Sequence, residues 1–166
     1  MQLRLLLAIA VIAVLVSFAV SAGERETADA LTENSRALLG SSEAIKLTEQ
    51  CSRDSPGPVT NFWVPTKEKL DELDRLLPDY LAGQFARGGS YPGEPGDYFR
   101  QLAGFVIEDR QVIYVNAFYI NGSFLGDFPP DWRTKAIVAC DGGGSFFGVE
   151  YDPEMREFRN FSSNGR

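Results

Sequence analysis

Residues 111–120 form the stretch that decides the fold, and they read Gln111-Val112-Ile113-Tyr114-Val115-Asn116-Ala117-Phe118-Tyr119-Ile120. Successive side chains of a strand point to opposite faces of its sheet. Here one face carries Ile113, Val115, Ala117 and Tyr119, and the other carries Val112, Tyr114, Phe118 and Ile120. A short run that is apolar on both faces is typical of a strand buried on both. We therefore predict that this stretch is the central strand of a sheet.

Further strands lie on both sides of it in the chain. The strand pattern predicts five of them, at residues 99–108, 111–120, 135–140, 145–151 and 156–162. Turn residues separate most of them, at Asp109-Arg110, Asp141 to Gly144 and Asp152 to Glu154. Short connections force consecutive strands to be antiparallel, because a parallel pair needs a crossover of about a dozen residues or more. We expect a mostly antiparallel β-meander whose strand order is open only around the loop 121–134.

Residues 67–77 carry the clearest helical pattern. Thr66 can cap the first turn, and the leucines form one stripe opposite the charged residues. The stripe consists of Leu70, Leu73, Leu76 and Leu77, and the opposite face of Lys67, Glu68, Glu72 and Arg75. Pro78 is expected to end or kink the helix. One amphipathic helix packed on an antiparallel sheet is an α+β domain.

Residues 1–22 have the layout of a cleavable signal peptide. A basic start at Arg4 precedes an apolar run, Leu5 to Val20, and Val20-Ser21-Ala22 supplies the small residues of a cleavage site. The alternative is an uncleaved anchor, but the run is shorter than the about 20 residues that span a bilayer. We predict a signal peptide at 1–22, a weakly structured segment at 23–60 and one α+β domain at 61–166, in a periplasmic or secreted protein.

The two cysteines and the absence of histidine restrict the chemistry. In an oxidising compartment Cys51 and Cys140 are most simply a disulfide, which closes a long loop and contributes on the order of 4 kcal/mol. A catalytic cysteine would need an activating base, and the sequence contains no histidine. Histidine-dependent triads and the usual histidine-ligated zinc and copper sites are excluded for the same reason. An enzyme would have to use carboxylates, Lys, Tyr or an oxygen-ligated metal, for which Asp141, Glu150 and Asp152 are the candidate Ca²⁺ ligands. Because the many acidic residues make such clusters arise by chance, we predict no metal site and no cofactor.

The charge disfavours two classes of partner. The chain has 16 basic and 23 acidic residues; loss of Arg4 with the leader leaves 15 − 23 = −8. Binding to a phosphate backbone needs a basic surface, so nucleic acid is not expected as a partner. An anionic membrane surface is disfavoured equally, and we expect no membrane attachment after the signal is removed.

The segment from Tyr98 to Gly165 resembles a group of small secreted bacterial proteins that have no established activity. The resemblance covers under half of the chain and implies a bacterial exported protein without assigning catalytic residues. It rests on Tyr98-Phe99-Arg100-Gln101, Ile113 to Phe118, Trp132, Cys140-Asp141-Gly142-Gly143, Phe146 to Asp152, Asn160-Phe161 and Asn164-Gly165.

Two carboxylates are the candidates for catalysis. Asp141 stands before three glycines, which either cradle an anion or turn a hairpin; the hairpin is favoured because no Lys-Ser/Thr pair follows. Glu150 with Asp141 could act as an acid and base pair, with Tyr114 and Asn116 as polar neighbours, if the carboxyl groups lie about 5–10 Å apart across a cleft. Sequence alone does not supply that distance.

The loop from Asn121 to Arg133 is the candidate for recognition. Its large apolar residues are Phe124, Leu125, Phe128 and Trp132, set among glycines and prolines. Such side chains either fold back to seal the core, which is the commoner use, or form a binding patch.

The leading functional hypothesis is a non-enzymatic exported protein that binds an envelope or extracellular protein. The alternative is a carboxylate-dependent hydrolase acting on an envelope polysaccharide. A third possibility is a purely structural component of the envelope.

Overall fold

The computed structural model describes residues 35–120 and 130–165. The predicted signal peptide and residues 121–129 lie outside them. The described chain forms one sheet of six strands with two helices. The strands are β1 (Arg36–Leu38), β2 (Val59–Phe62), β3 (Tyr98–Ile107), β4 (Arg110–Tyr119), β5 (Phe146–Asp152) and β6 (Glu157–Ser163), and the helices are α1 (Ser41–Ala44) and α2 (Lys67–Ala86).

The sheet is mostly antiparallel and is built around β4. The strand order is β1-β3-β4-β5-β6, and β2 also pairs with β3. Only the β1–β3 pair is parallel among the described strands. The tight turn between β3 and β4 places Glu108 and Asp109 at φ of 50° and 63°, the left-handed values of a type I′ hairpin. Strand β4 has a neighbour on each side, as its two apolar faces predict.

Helix α2 covers one face of the sheet. Leu73, Leu77 and Leu81 are almost completely buried against residues of β3, β4 and β5. The helix continues past Pro78, so of the two outcomes expected there, an end or a kink, the end does not occur. Proline removes one backbone hydrogen bond of the helix. The buried leucines on both sides of Pro78 hold the second half of the helix on the sheet, so packing outweighs that loss.

The opposite face is covered by the segment that the sequence predicts to be weakly structured. Residues 35–60 contribute β1, α1 and the first two residues of β2, while residues 23–34 lie outside the described ranges. Leu39, Ala44 and Leu47 are buried in one cluster with Phe105 and Val112 of the sheet. The second face of the apolar central strand is therefore covered by residues from the N-terminal part of the chain.

The predicted strand at residues 135–140 is wrong. These residues form no strand and have no strand partner in the described structure. Several of their backbone groups instead bond side chains: the Ala136 and Ile137 amides donate to Glu43 and Gln101, and the Ala139 carbonyl accepts from Asn164. A short apolar run predicts burial, but it does not reveal whether backbone or side chains will satisfy its polar groups.

A buried ion pair joins α2 to the sheet. Asp74 and Arg100 have side chains that are 7% and 6% exposed, and Arg100 Nη1 lies 2.8 Å from Asp74 Oδ1. Arg36 of β1 donates to the second oxygen of Asp74 and to Asp71 at 3.0 Å. Burial raises the pKa of Asp74, and the two guanidinium groups act in the opposite direction. The pair therefore ties the helix to β1 and β3 together.

The substitution Asp74→Ala is expected to lower the free energy of unfolding by about 3–5 kcal/mol, because it leaves the Arg100 charge buried without its carboxylate. The matched control is Asp71→Ala on the same helix, whose side chain is 47% exposed. An exposed ion pair is worth about 1 kcal/mol or less. Urea unfolding of both variants measures the difference, and equal losses would contradict the role assigned to Asp74.

Candidate functional site

A disulfide joins two loops on the sheet face opposite α2. Cys51 and Cys140 are bonded with an S–S distance of 2.07 Å, which confirms the pairing predicted from sequence. Both cysteines are exposed to solvent. The bond links the segment around residues 49–58 to the segment 131–142, across 89 positions of the chain. A cross-link of that span removes much conformational freedom from the unfolded chain.

Beneath the disulfide lies a buried set of polar side chains, which we call the Arg53 network: Arg53, Gln101, Asn116 and Asn164. All four are at most 7% exposed. Arg53 Nη1 donates to Asn164 Oδ1 at 2.8 Å, and Arg53 Nη2 donates to Asn116 Oδ1. Asn116 Nδ2 donates to Gln101 Oε1 at 3.0 Å. A single charged residue from the loop of Cys51 therefore connects the sheet to the C-terminal end of β6.

The side-chain amides of Gln101 and Asn116 hold the loop 131–142, as the backbone of a neighbouring strand would hold a further strand. Gln101 Nε2 donates to the carbonyls of Trp132 and Lys135, and Gln101 Oε1 accepts the Ile137 amide at 2.8 Å. Asn116 Nδ2 donates to the Ile137 carbonyl at 2.9 Å. Side-chain amides thus supply hydrogen bonds that a neighbouring backbone would supply in a sheet.

Asn164 fastens the far end of the same loop. Its Nδ2 donates to the carbonyls of Ala139 and Asp141, both at 2.8 Å. The next amide, that of Gly165, donates to the carbonyl of Ser52 at 3.0 Å and to its hydroxyl oxygen at 2.9 Å. Residues on both sides of the disulfide are consequently bonded to the C-terminal end of the described chain.

Glu150, the first catalytic candidate, is a buried acceptor. Its side chain is 1% exposed. One oxygen accepts the Gly57 amide at 3.2 Å, and the other accepts Arg159 Nε at 3.1 Å and Asn160 Nδ2 at 3.0 Å. A carboxylate that accepts three hydrogen bonds under a covering loop is arranged to hold backbone and side chains in place.

The contact with Asn160 supports a β-bulge in β6. Two residues, Asn160 and Phe161, face Val149 where the β5–β6 register shifts, and Asn160 has a φ of 54°. Without the extra residue, Phe158 and Phe161 would point to opposite faces. With it, both pack into the cluster under α2. A bulge re-aims side chains in this way, and the bond to Glu150 holds its left-handed residue.

Asp141, the second catalytic candidate, is exposed and has a separate set of contacts. Its Oδ1 accepts the amide of the adjacent Gly142 at 2.8 Å. Glu150 and Asp141 share no hydrogen-bond partner within the described ranges. The glycines after Asp141 form a turn, with Gly142 and Gly143 at φ of 98° and 54°, followed by β5.

Tyr114 and Asn116, the predicted polar neighbours of the carboxylates, are both buried on β4. Tyr114 pairs with Glu150 in the register of β4 and β5, and a Cβ at Gly148 would come within 2.1 Å of its hydroxyl oxygen. Burial raises the pKa of Tyr114, while the Arg53 guanidinium acts against that rise. The phenol thus lies closely packed beside the Arg53 network.

Trp132 is a core residue at the end of the candidate recognition loop. It is 9% exposed, and its ring meets Phe99 and Phe118 edge-on, with centroids 5.3 and 5.8 Å apart. The Arg133 guanidinium carbon lies 4.5 Å from the centroid of the Trp132 ring. The other predicted binding residues, Phe124, Leu125 and Phe128, lie outside the described ranges.

Sequence reasoning missed Arg53, Gln101 and Asn164. A usable signal was present in β3 and β4, because Gln101 follows Arg100 within a mostly apolar strand and Asn116 has apolar residues on both sides. A polar residue at an inward position needs a hydrogen-bond partner. The pattern indicates that need, but the identity of the partner depends on the tertiary fold.

In the part of the chain that the structure describes, no group of three or more cysteine, aspartate or glutamate side chains could hold a metal ion. None of the helices in that part of the chain is long and apolar enough to span a membrane.

Comparison of the chain with models of protein families, with curated proteins and with solved structures finds no match. The resemblance of residues 98–165 to small secreted bacterial proteins therefore stays a prediction.

Replacement of the central charge, Arg53→Met, is expected to lower the free energy of unfolding by about 2–6 kcal/mol. It leaves the acceptors of Asn116 and Asn164 buried without a donor, at about 1–3 kcal/mol each. The control is Arg110→Met, because Arg110 is 43% exposed and pairs with Glu108 at the surface. Urea denaturation checks both variants; a loss for Arg53→Met as small as that of the control would refute the network's role.

Glu43 accepts the Ala136 amide of the loop 131–142, and it makes the stability of the protein depend on pH. Its hydrogen bond from Lys46 and the amide of Ala136 lower its pKa from 4.5 to about 2. Because the pKa is lowered in the folded state, the carboxylate contributes stability above pH 4.5, and this is lost as the pH falls towards 2.

We therefore expect Glu43→Gln to be less stable than the parent at neutral pH and to converge with it between pH 4.5 and about 2. Urea unfolding at a series of pH values measures the gap. Glu108→Gln is the control, because its carboxylate is 69% exposed and should give no such convergence. A gap that stays constant down to the lowest pH would contradict the assignment.

Proposed function

We propose that the mature chain is an exported, non-enzymatic binding domain of the periplasm or cell exterior. It recognises an envelope or extracellular protein through the loop between β4 and β5, near residues 121–133. The disulfide supports an oxidising compartment, because such bonds persist outside the cytosol and are rare inside it. The sequence pattern of residues 1–22 supports export by a cleaved signal peptide.

The observation that carries the proposal is the anchoring of that loop. Ile120 before it and Trp132 near its end both pack on the cluster around Phe118. Binding loops work best when a rigid scaffold fixes their ends. Gln101 reinforces the second anchor through the Trp132 carbonyl. The chain between these anchors carries Phe124, Leu125 and Phe128, which suit a protein interface because aromatic residues dominate binding energy there.

The contacts of Glu150 favour binding over the alternative of a polysaccharide hydrolase. A catalytic carboxyl group must reach the glycosidic bond, whereas Glu150 is 1% exposed and accepts three hydrogen bonds. Asp141 is exposed but has no carboxylate partner among its described contacts. The negative charge of the chain further favours a protein partner over nucleic acid or an anionic membrane.

The proposal predicts that replacing Phe124, Leu125 and Phe128 together by serine preserves the fold and removes capture of the partner. The fold is expected to persist because the described anchors and the Arg53 network are untouched. Circular dichroism and urea unfolding check the fold. Quantitative mass spectrometry of proteins retained from an envelope extract checks binding.

The matched control replaces exposed apolar residues elsewhere, Val64→Ser and Met155→Ser, which are 79% and 60% exposed. This control should retain the same proteins as the parent chain. Equal capture by the parent, the loop variant and the control would refute recognition by the loop. Unfolding of the loop variant would instead assign its side chains to the core.

A further inference from the structure

In the turn that follows Cys140, the backbone nitrogen of Gly142 lies next to the side chain of Asp141. In Asp-Gly and Asn-Gly pairs, the glycine nitrogen can attack the side-chain carbonyl carbon of the preceding residue and close a succinimide ring. Glycine offers the least steric hindrance to this attack. The chain contains three such pairs: Asn121-Gly122, Asp141-Gly142 and Asn164-Gly165. The first lies outside the described ranges, and the other two differ sharply in geometry.

Asp141 is arranged for the reaction. The nitrogen of Gly142 lies 2.8 Å from Asp141 Oδ1, so the carbon that bears this oxygen is at most one C–O bond farther away. Both residues are exposed, and water can therefore reach the ring once it forms. Gly142 has a φ of 98°, and a Cβ there would come within 2.6 Å of the Phe146 ring, so the position strongly favours glycine.

The surroundings of Asn164 oppose succinimide formation. The residue is 4% exposed, its Oδ1 accepts from Arg53, and its Nδ2 donates to two carbonyls. The Gly165 nitrogen would have to attack Cγ of Asn164, but it donates its hydrogen to Ser52 and not, as at Gly142, to the side chain under attack. The reaction would require these hydrogen bonds to open first.

We propose that Asp141 is a site of spontaneous succinimide formation and conversion to isoaspartate in the folded protein, and that the Arg53 network protects Asn164 from the same chemistry. In unstructured peptides Asn-Gly reacts faster than Asp-Gly, so the fold inverts the chemical order. The inference is independent of the proposed binding function.

The chemistry at Asp141 needs no co-reactant except water. The Gly142 nitrogen forms a bond to Cγ of the protonated carboxyl group. One carboxyl oxygen leaves as water, together with the amide hydrogen and the acid proton. Water then adds to either ring carbonyl. Opening at the main-chain carbonyl bond gives isoaspartate, in which the chain runs through Cβ and Cγ and the α-carboxyl group is free.

The product would alter the site locally. Isoaspartate lengthens the backbone by one methylene beside Cys140 and converts the main-chain carbonyl that accepts from Asn164 into a carboxylate. It would be a substrate for an isoaspartyl carboxyl methyltransferase, because that class of enzyme methylates the α-carboxyl group exposed by the rearrangement.

The test compares ageing of the folded protein with ageing in urea at physiological temperature and neutral pH. After reduction and tryptic digestion the three pairs lie on separate peptides, at residues 111–133, 136–156 and 160–166. Labelling by isoaspartyl methyltransferase measures isoaspartate, and mass spectrometry measures deamidation and the succinimide, which is lighter by one water. We expect labelled 136–156 from the folded protein, and deamidation of Asn164 about a hundredfold slower than in urea, since several hydrogen bonds must open.

Deamidation of Asn164 before any isoaspartate at Asp141 in the folded protein would overturn the proposal. So would suppression of both sites by folding to the same degree. The control Asp141→Glu keeps the charge but would have to close a six-membered ring, which forms far more slowly. Its peptide 136–156 should lose the label, and persistence of the label there would equally overturn the assignment to Asp141.

Discussion

One buried guanidinium organises the face of the sheet that α2 does not cover. Arg53 reaches from the loop of Cys51 to Asn116 in the central strand and to Asn164 beyond β6. Those two amides, with Gln101, then fix the backbone of residues 132–141. Burial of a charge is costly unless its donors are satisfied; the two Nη groups of Arg53 donate to these amides, while its Nε is buried with no hydrogen-bond partner among the described residues. The covering loops therefore depend on this network, because they have no strand ladder of their own within the described structure.

The disulfide and the network stabilise the same loops by different means. The Cys51–Cys140 bond acts mainly by reducing the freedom of the unfolded chain. The hydrogen bonds of Arg53 and Asn164 act in the folded state, where they determine the path of each loop. The cysteines are exposed and the network is buried, so the covalent link lies outside the contacts that shape the loops.

Much of the architecture was predictable because it depends on local periodicity. The strands β3 to β6, the antiparallel order, the helix beginning at Lys67 and the disulfide all follow from patterns that sequence displays directly. The loop 135–140 and the extension of α2 past Pro78 do not, because each is decided by partners distant in the chain. The same holds for Glu150: sequence reveals a carboxylate in a strand, but its acceptor role depends on Gly57 and on the bulge at Asn160.

The two faces of the sheet therefore differ in what they can tolerate. Under α2 the contacts are mainly apolar, and the buried Arg100–Asp74 pair connects helix and strand directly. On the other face, irregular loops are held at chosen points by side-chain amides, and the backbone between those points is not part of a ladder. A loop attached in this way can vary in sequence between its anchors without disturbing the sheet. Ile120 and Trp132, which flank residues 121–131, both pack on one aromatic cluster, so the two ends of the proposed recognition loop are fixed points of the fold.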